Sequence, residues 1–195
     1  KLIAWGTFEG QLWYRRSFID RTLADVLIDD LPQSRDIVQL FGIGFNLIDE
    51  VANWHSRGVI HGHITPSNIH IGPDGALDLL DAAIGSAIVQ ATKKLGIEEF
   101  PAGYQKDTFA VELLSGAGGN TAVDIFGLGT VLRRILSRIR QLQDDSGEQQ
   151  FSPQDLRSLT DLTGAMIVKD AARRPALGKV KRAFGEKGRV LYGSP

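Results

Sequence analysis

The sequence predicts a mainly helical α+β chain, and two patterns and one bulk property carry that prediction. Residues 37–57, 124–140 and 153–166 repeat apolar side chains at helical spacing over several turns. Residues 1–20 and 58–80 instead hold short apolar bursts split by turn residues, the pattern of hairpins. At 195 residues and 43% hydrophobic content, the chain has the size of one ordinary domain and enough apolar surface to bury a core.

Taken in order, Leu2-Ile3-Ala4-Trp5 and Leu12-Trp13-Tyr14 flank the turn-like Phe8-Glu9-Gly10-Gln11, which predicts a first hairpin. The period changes across Phe18 to Leu23. From Ile37, positions 37, 40, 41, 44, 47, 48 and 51 form one helical stripe, and Gly58 stands where a C-terminal cap belongs. Val59-Ile60-His61, Asn68 to Ile71, the tight turn Pro73-Asp74-Gly75 and Ala76 to Leu80 predict a second hairpin. A helix over 124–140 aligns Ile125, Leu128, Leu132 and Ile135. The polar run from Gln143 to Gln150 predicts a surface loop. Ser152 as cap and Pro153 at the first helical position open another helix, carrying Leu156, Leu159, Leu162 and Met166. A short last helix is expected after Pro175. Gly42-Ile43-Gly44 lies inside the most regular helix and predicts close helix packing, and Gly116-Ala117-Gly118-Gly119, lacking a following Lys-Ser/Thr, predicts a flexible turn. There is no internal repeat or heptad array.

Within this frame, His61-Gly62-His63-Ile64-Thr65-Pro66-Ser67-Asn68, followed thirteen residues on by Asp81-Ala82-Ala83, resembles the catalytic loop and metal loop of protein kinases. Three further stretches follow in the same order. Ala110-Val111-Glu112 resembles the Ala-Pro-Glu that closes the activation segment. Asp124-Ile125-Phe126-Gly127-Leu128-Gly129 resembles the opening of the central helix, and Lys169-Asp170 with Arg173-Arg174-Pro175 resembles the late Asp-Pro-x-x-Arg-Pro signature. The resemblance covers nearly the whole chain. It implies a kinase-like helical C-lobe over 21–195, with 1–20 as the last strands of the smaller lobe and Phe18, Ile19 and Asp20 at the hinge. It also implies structural roles: His61 packs inward, Asp124 accepts bonds from the loop backbone, and Glu112 pairs with Arg174.

The departures fall on the chemistry. In a working kinase an Asp takes the substrate's hydroxyl proton, a Lys two residues on neutralises the transferred phosphoryl, and Asn and Asp hold the metals. Here His63 stands for that Asp, Thr65 for the Lys, Gly62 for the loop Arg, and Ala82 and Ala83 for Phe and Gly. Asn68 and Asp81 survive; the favoured reading is structural, with Asn68 bonding the loop backbone and Asp81 merely inherited, a residual Mg-nucleotide site at the two is the alternative, and no cofactor is expected. An imidazole titrates near ~6.5 and can serve as a base, but it replaces an anion, and Thr65 brings no positive charge. No Gly-x-Gly-x-x-Gly loop and no Val-Ala-x-Lys strand occurs in the sequence. Either the chain is cut from a longer protein or another chain completes the cleft. Thr92, Tyr104 and Thr108 lie in the activation segment, but without the loop Arg a phosphate there has no cation to pair with, so no phosphorylation switch is expected.

Bulk charge adds exclusions. With 22 basic and 23 acidic residues there is no global field toward nucleic acid. Arg133, Arg134, Arg138 and Arg140, and the eight Lys/Arg in 169–190, read as solvated helix faces, with an acidic docking partner as the alternative. The absence of cysteine excludes disulfides and thiolate sites. No apolar run reaches the ~20 residues of a membrane span, and a cytoplasmic location is expected. His55, His61, His63 and His70 crowd together, but the kinase-like layout spreads them over a helix end, the loop and a strand, against a shared zinc. The leading function is therefore a catalytically impaired, pseudokinase-type module that binds or regulates protein partners. An atypical Mg-nucleotide transferase keeping Asn68 and Asp81 is the enzymatic alternative, and a basic docking module for nucleic acid or an acidic partner is the third.

Overall fold

A computed structural model describes residues 2–8, 11–16, 19–28, 36–96, 106–116 and 119–192 of the protein. Two antiparallel strands, β1 (Leu2–Phe8) and β2 (Gln11–Arg16), pair as the first hairpin, in the register Phe8↔Gln11. Glu9, Gly10 and Phe18 lie outside the described residues. A short helix, α1 (Leu23–Ile28), follows.

Asp36 then starts α2 (Ile37–Ser56), because its carboxylate accepts from the Val38 and Gln39 amides at 2.8 and 3.1 Å and satisfies donors that the first turn leaves open. Gly58 takes φ +71 just beyond its end, a left-handed conformation that glycine adopts without a Cβ clash. The helix buries Leu40, Phe41, Leu47, Ile48 and Val51 against α5 (Thr121–Ser146). Gly44 permits the approach, since a Cβ there would lie 3.2 Å from Leu132 Cδ2. On the flanks, α6 (Pro153–Met166) packs along α5 and α7 (Leu177–Tyr192) along α2. Phe41 joins the two sides: its ring lies 4.9 Å from that of Phe151 and 5.6 Å from that of Phe184. Each of these fully buried apolar side chains is worth about 1.5–3 kcal/mol relative to exposure.

Three sequence expectations need correction. The helix expected over 124–140 runs from Thr121 to Ser146, capped by Asn120, whose side chain accepts from the Ala122 amide. Gln143 consequently belongs to this helix, not to a surface loop: its buried amide accepts from Phe151 N–H at 2.8 Å and donates to Phe151 O at 3.2 Å, pinning the connection to α6. The last helix is 16 residues long, not short.

The second hairpin consists of β3 (Ile69–Ile71) and β4 (Leu77–Leu79), antiparallel with Ile69 opposite Leu79. Two helices lie between it and α5: α3 (Ile84–Leu95), over residues where no helix was expected, and α4 (Val111–Ser115). They share a small second core of Val89, Phe109, Ala110, Leu113 and Val123. The architecture is mainly helical, as predicted, with the loop 61–68 at the junction of α2, the hairpin and the start of α5.

Candidate functional site

The loop is positioned by one buried carboxylate. Asp124, 1% exposed in the first turn of α5, accepts from the amides of His61 (2.9 Å) and Gly62 (2.7 Å) and from His55 Nε2 (2.8 Å). Both of its oxygens are used to hold backbone. His61 is clamped from its other side as well. Its Nε2–H donates to Leu80 O at 2.8 Å and its Nδ1 accepts from His63 N–H at 3.3 Å, so the ring is the neutral Nε2–H tautomer. Burial pushes its pKa down, against the pull of Asp124 and Asp81.

His63, two residues on in the loop, is 6% exposed. Its ring stacks on Phe109 at 4.2 Å and 12°. Asn68 Nδ2 donates to His63 O (3.1 Å) and to His63 Nδ1 (3.2 Å), which leaves Nε2 to carry the proton and donate to Thr108 Oγ1 at 2.9 Å. A second proton would bring Nδ1–H against the Asn68 amide hydrogens. Burial, reinforced by the neighbouring His61, accordingly holds the His63 pKa down at about 4. At neutral pH the group is an uncharged imidazole.

Asn68 thus spends its amide nitrogen on residue 63 inside the loop, and Thr65 sits half-buried at the start of the 3-10 turn Pro66–Asn68. Asp81 and Ala83 both take left-handed backbone, φ +60 and +62, and Ala83 N–H donates to His61 O at 2.8 Å. The third residue of this motif therefore adopts, with a Cβ, a conformation that glycine adopts freely. Among the described residues no three His, Asp or Glu side chains converge as a metal cage.

Glu112 and Arg174 pair through both terminal guanidinium nitrogens, Nη2 to Oε2 at 2.9 Å and Nη1 to Oε1. Arg174 also donates to the carbonyls of Ala122 (2.8 Å) and Val168 (2.9 Å) and lies 5.1 Å over the Phe126 ring. Burial alone would raise the Glu112 pKa, but the bond from Arg174 wins and lowers it. At the other end, Ile19 is half-buried and Asp20 is exposed, its carboxylate 3.0 Å from His70 Nε2. A cavity of about 410 Å³ opens between α1, α2 and the turn 73–75, lined by Arg21, Gln39, Ile43 and Asn46 among others; none of the loop residues borders it.

Across known proteins, the chain is 24% identical over 169 residues to serine/threonine-protein kinase STK11 of Gallus gallus, covering 80% of this chain and 38% of that protein. It is 32% identical over 99 residues to cyclin-dependent kinase D-1 of Arabidopsis thaliana, covering 50% of this chain and 24% of that protein. It is 31% identical over 120 residues to the probable serine/threonine-protein kinase glkA of Dictyostelium discoideum, with 61% and 24% covered. The chain is related to the protein kinases. The chain spans less than half the length of these curated kinases, and no family model matches it. The helical architecture accords with a kinase-like C-lobe. The contacts around His63 that the sequence did not reveal come from Thr108, Phe109 and Gly85 of α3. They lie about 20 to 45 residues away along the chain, and no local pattern announces them. His55 as a third partner of Asp124 was equally hidden, its place at a helix end being the sole sign. Among the described residues no helix is long and apolar enough to cross a membrane.

Proposed function

We propose that this chain is a catalytically impaired protein kinase-like module that acts by binding or regulating protein partners. The observation that carries this reading is the state of residue 63. A phosphoryl-transfer base must accept a proton from an incoming hydroxyl. His63 offers a protonated Nε2 to Thr108 and an Nδ1 already occupied by Asn68, in a buried pocket closed by Phe109. Thr65 adds no cation to stabilise the transition state, a contribution that kinases draw from the loop Lys.

The scaffold supports the same reading from the opposite direction. Asp124 with its three donors and Arg174 with Glu112 hold the lobe together whether or not chemistry survives. In this reading residues 1–20 are the edge of the smaller lobe, 21–195 form the C-lobe, the setting is cytoplasmic, and nucleic acid is not the partner, because basic and acidic residues balance overall.

A thermal-shift titration with Mg²⁺ and ATP tests the reading. Ligand at 100 times its dissociation constant adds about 2.7 kcal/mol of stability, or roughly 5–10 °C in Tm for a chain this size. No shift is expected, and no phosphate transferred to a generic Ser/Thr substrate. A shift of several degrees that disappears in Asp81→Ala would revive the transferase alternative.

A further inference from the structure

The residues exchanged in the loop are matched, atom against atom, by the helix that follows the Asp81-Ala82-Ala83 motif. Gly85, in the first turn of α3, lies against the loop: a Cβ there would overlap His63 Cβ and come within 2.9 Å of His63 Cγ and 3.2 Å of Phe109 Cε1. Gly62, at φ +82, faces Ser86 in the same way, and a Cβ on it would run into Ser86 Oγ. Behind this contact Gly85, Val89 and Thr92 form the buried face of α3, and Val89 packs with Phe109, Ala110, Leu113 and Val123. Steric fit at Gly85 and apolar burial at Val89, one turn further along the same face, fix the helix where it is.

We propose that α3 is a fitted cover over the loop position that meets the substrate hydroxyl in protein kinases, seated by the missing side chains of Gly62 and Gly85. This rests on the loop equivalence used above. An acceptor hydroxyl has to come within hydrogen-bond reach of residue 63, and that approach is closed by Gly85 on one side and by the Phe109 ring, stacked at 4.2 Å, on the other. A side chain at position 62 would have to turn the Ser86 hydroxyl aside and hold φ +82 with a Cβ, a strained conformation for any residue but glycine. Loop exchange and helix placement are thus one device: the small residues admit the cover, and the cover removes the site.

The test uses the full chain, diethyl pyrocarbonate as a histidine probe read by mass spectrometry at each His, and amide hydrogen exchange over residues 84–95. In the wild type His63 stays unmodified while the more exposed His70 reacts. Gly85→Ala, which cannot be relieved by a rotamer change because the clash is with a Cβ, is expected to raise His63 modification and α3 exchange at least tenfold, with His61 still protected beneath the loop. A wild-type His63 as reactive as His70, or a Gly85→Ala protein with unchanged His63 reactivity and α3 exchange, overturns the proposal. If Gly85→Ala loses the fold, Val89→Ser loosens the same buried face one turn further on, without a clash against the loop, and is read in the same way. Joint exposure of His61 and His63 in both variants also overturns it, since α3 would then be core and not cover. None of these readouts involves nucleotide, so a Mg²⁺–ATP shift would sink the proposed function and leave the cover standing.

Discussion

Lowering the pH from 7.5 to 5 should cost this protein stability through one residue above all. His63 is 6% exposed, with Nδ1 occupied by Asn68 and Nε2–H by Thr108, and its pKa is held down at about 4. In the unfolded chain it returns to the ordinary imidazole value of about 6.5. The folded pKa lies below the unfolded one, so stability is full above pH 6.5 and is lost as the unfolded state gains a proton that the folded state refuses. Linkage between these two values gives almost nothing at pH 7.5 and about 2 kcal/mol at pH 5, or roughly 4–8 °C in Tm at this chain length. His61, also pushed down by burial, adds to the loss in the wild type, so the comparison is with His63→Gln, whose amide still offers an acceptor and a donor but does not titrate. The assay is urea or thermal unfolding of both proteins at half-unit pH steps. The wild type should lose about 2 kcal/mol more than the variant over this range. Parallel curves, or a His63 ring proton that titrates near 6.5 by NMR, would refute the buried neutral imidazole and with it the closed site.

Three further outcomes follow from the contacts. Asp124→Ala strands the amides of His61 and Gly62 and the His55 ring in a buried place and should cost about 3–5 kcal/mol in urea unfolding; Asp124→Asn, which keeps one acceptor oxygen, should fall between it and wild type, and a wild-type midpoint for Asp124→Ala would remove the loop anchor from the account. Arg174→Lys cannot reproduce the paired bonds to Glu112 together with those to Ala122 and Val168, so it should lower stability by about 2–4 kcal/mol in spite of the conserved charge; a shift in Tm of less than one degree would count against it. Ala83→Gly should raise stability by about 0.5–1 kcal/mol, because φ +62 strains a residue with a Cβ by more than the entropy glycine adds to the unfolded chain, and a lower melting temperature in the variant would contradict the strain.

Local patterns in the sequence were enough for the long elements and for the loop's lineage. Apolar spacing over 37–57 gave α2 to within a residue, Ser152-Pro153 gave the start of α6, and Pro73-Asp74-Gly75 gave the second hairpin. These features are set by side chains within a turn or two of each other, which is why a one-dimensional reading reaches them. The same locality explains the errors. Gln143 looked like loop because it is polar, and only its bonds to Phe151, eight residues on, make it interior. The helix α3 was missed because its inner face is Gly85, Val89 and Thr92, too small and mixed to register as a stripe.

What became of the site lay further out of reach. The sequence by itself determined a loop that resembles the kinase catalytic loop and carries Gly62, His63 and Thr65 where that resemblance leads one to expect Arg, Asp and Lys. Tertiary structure alone decided what the exchanged His does. Its ring is flattened against Phe109, hydrogen-bonded to Thr108 from 45 residues away, and overlain by a glycine of α3. Protonation and access depend on the atoms that surround a group, and those atoms are brought in by packing between distant segments, a relation that spacing along the chain does not encode.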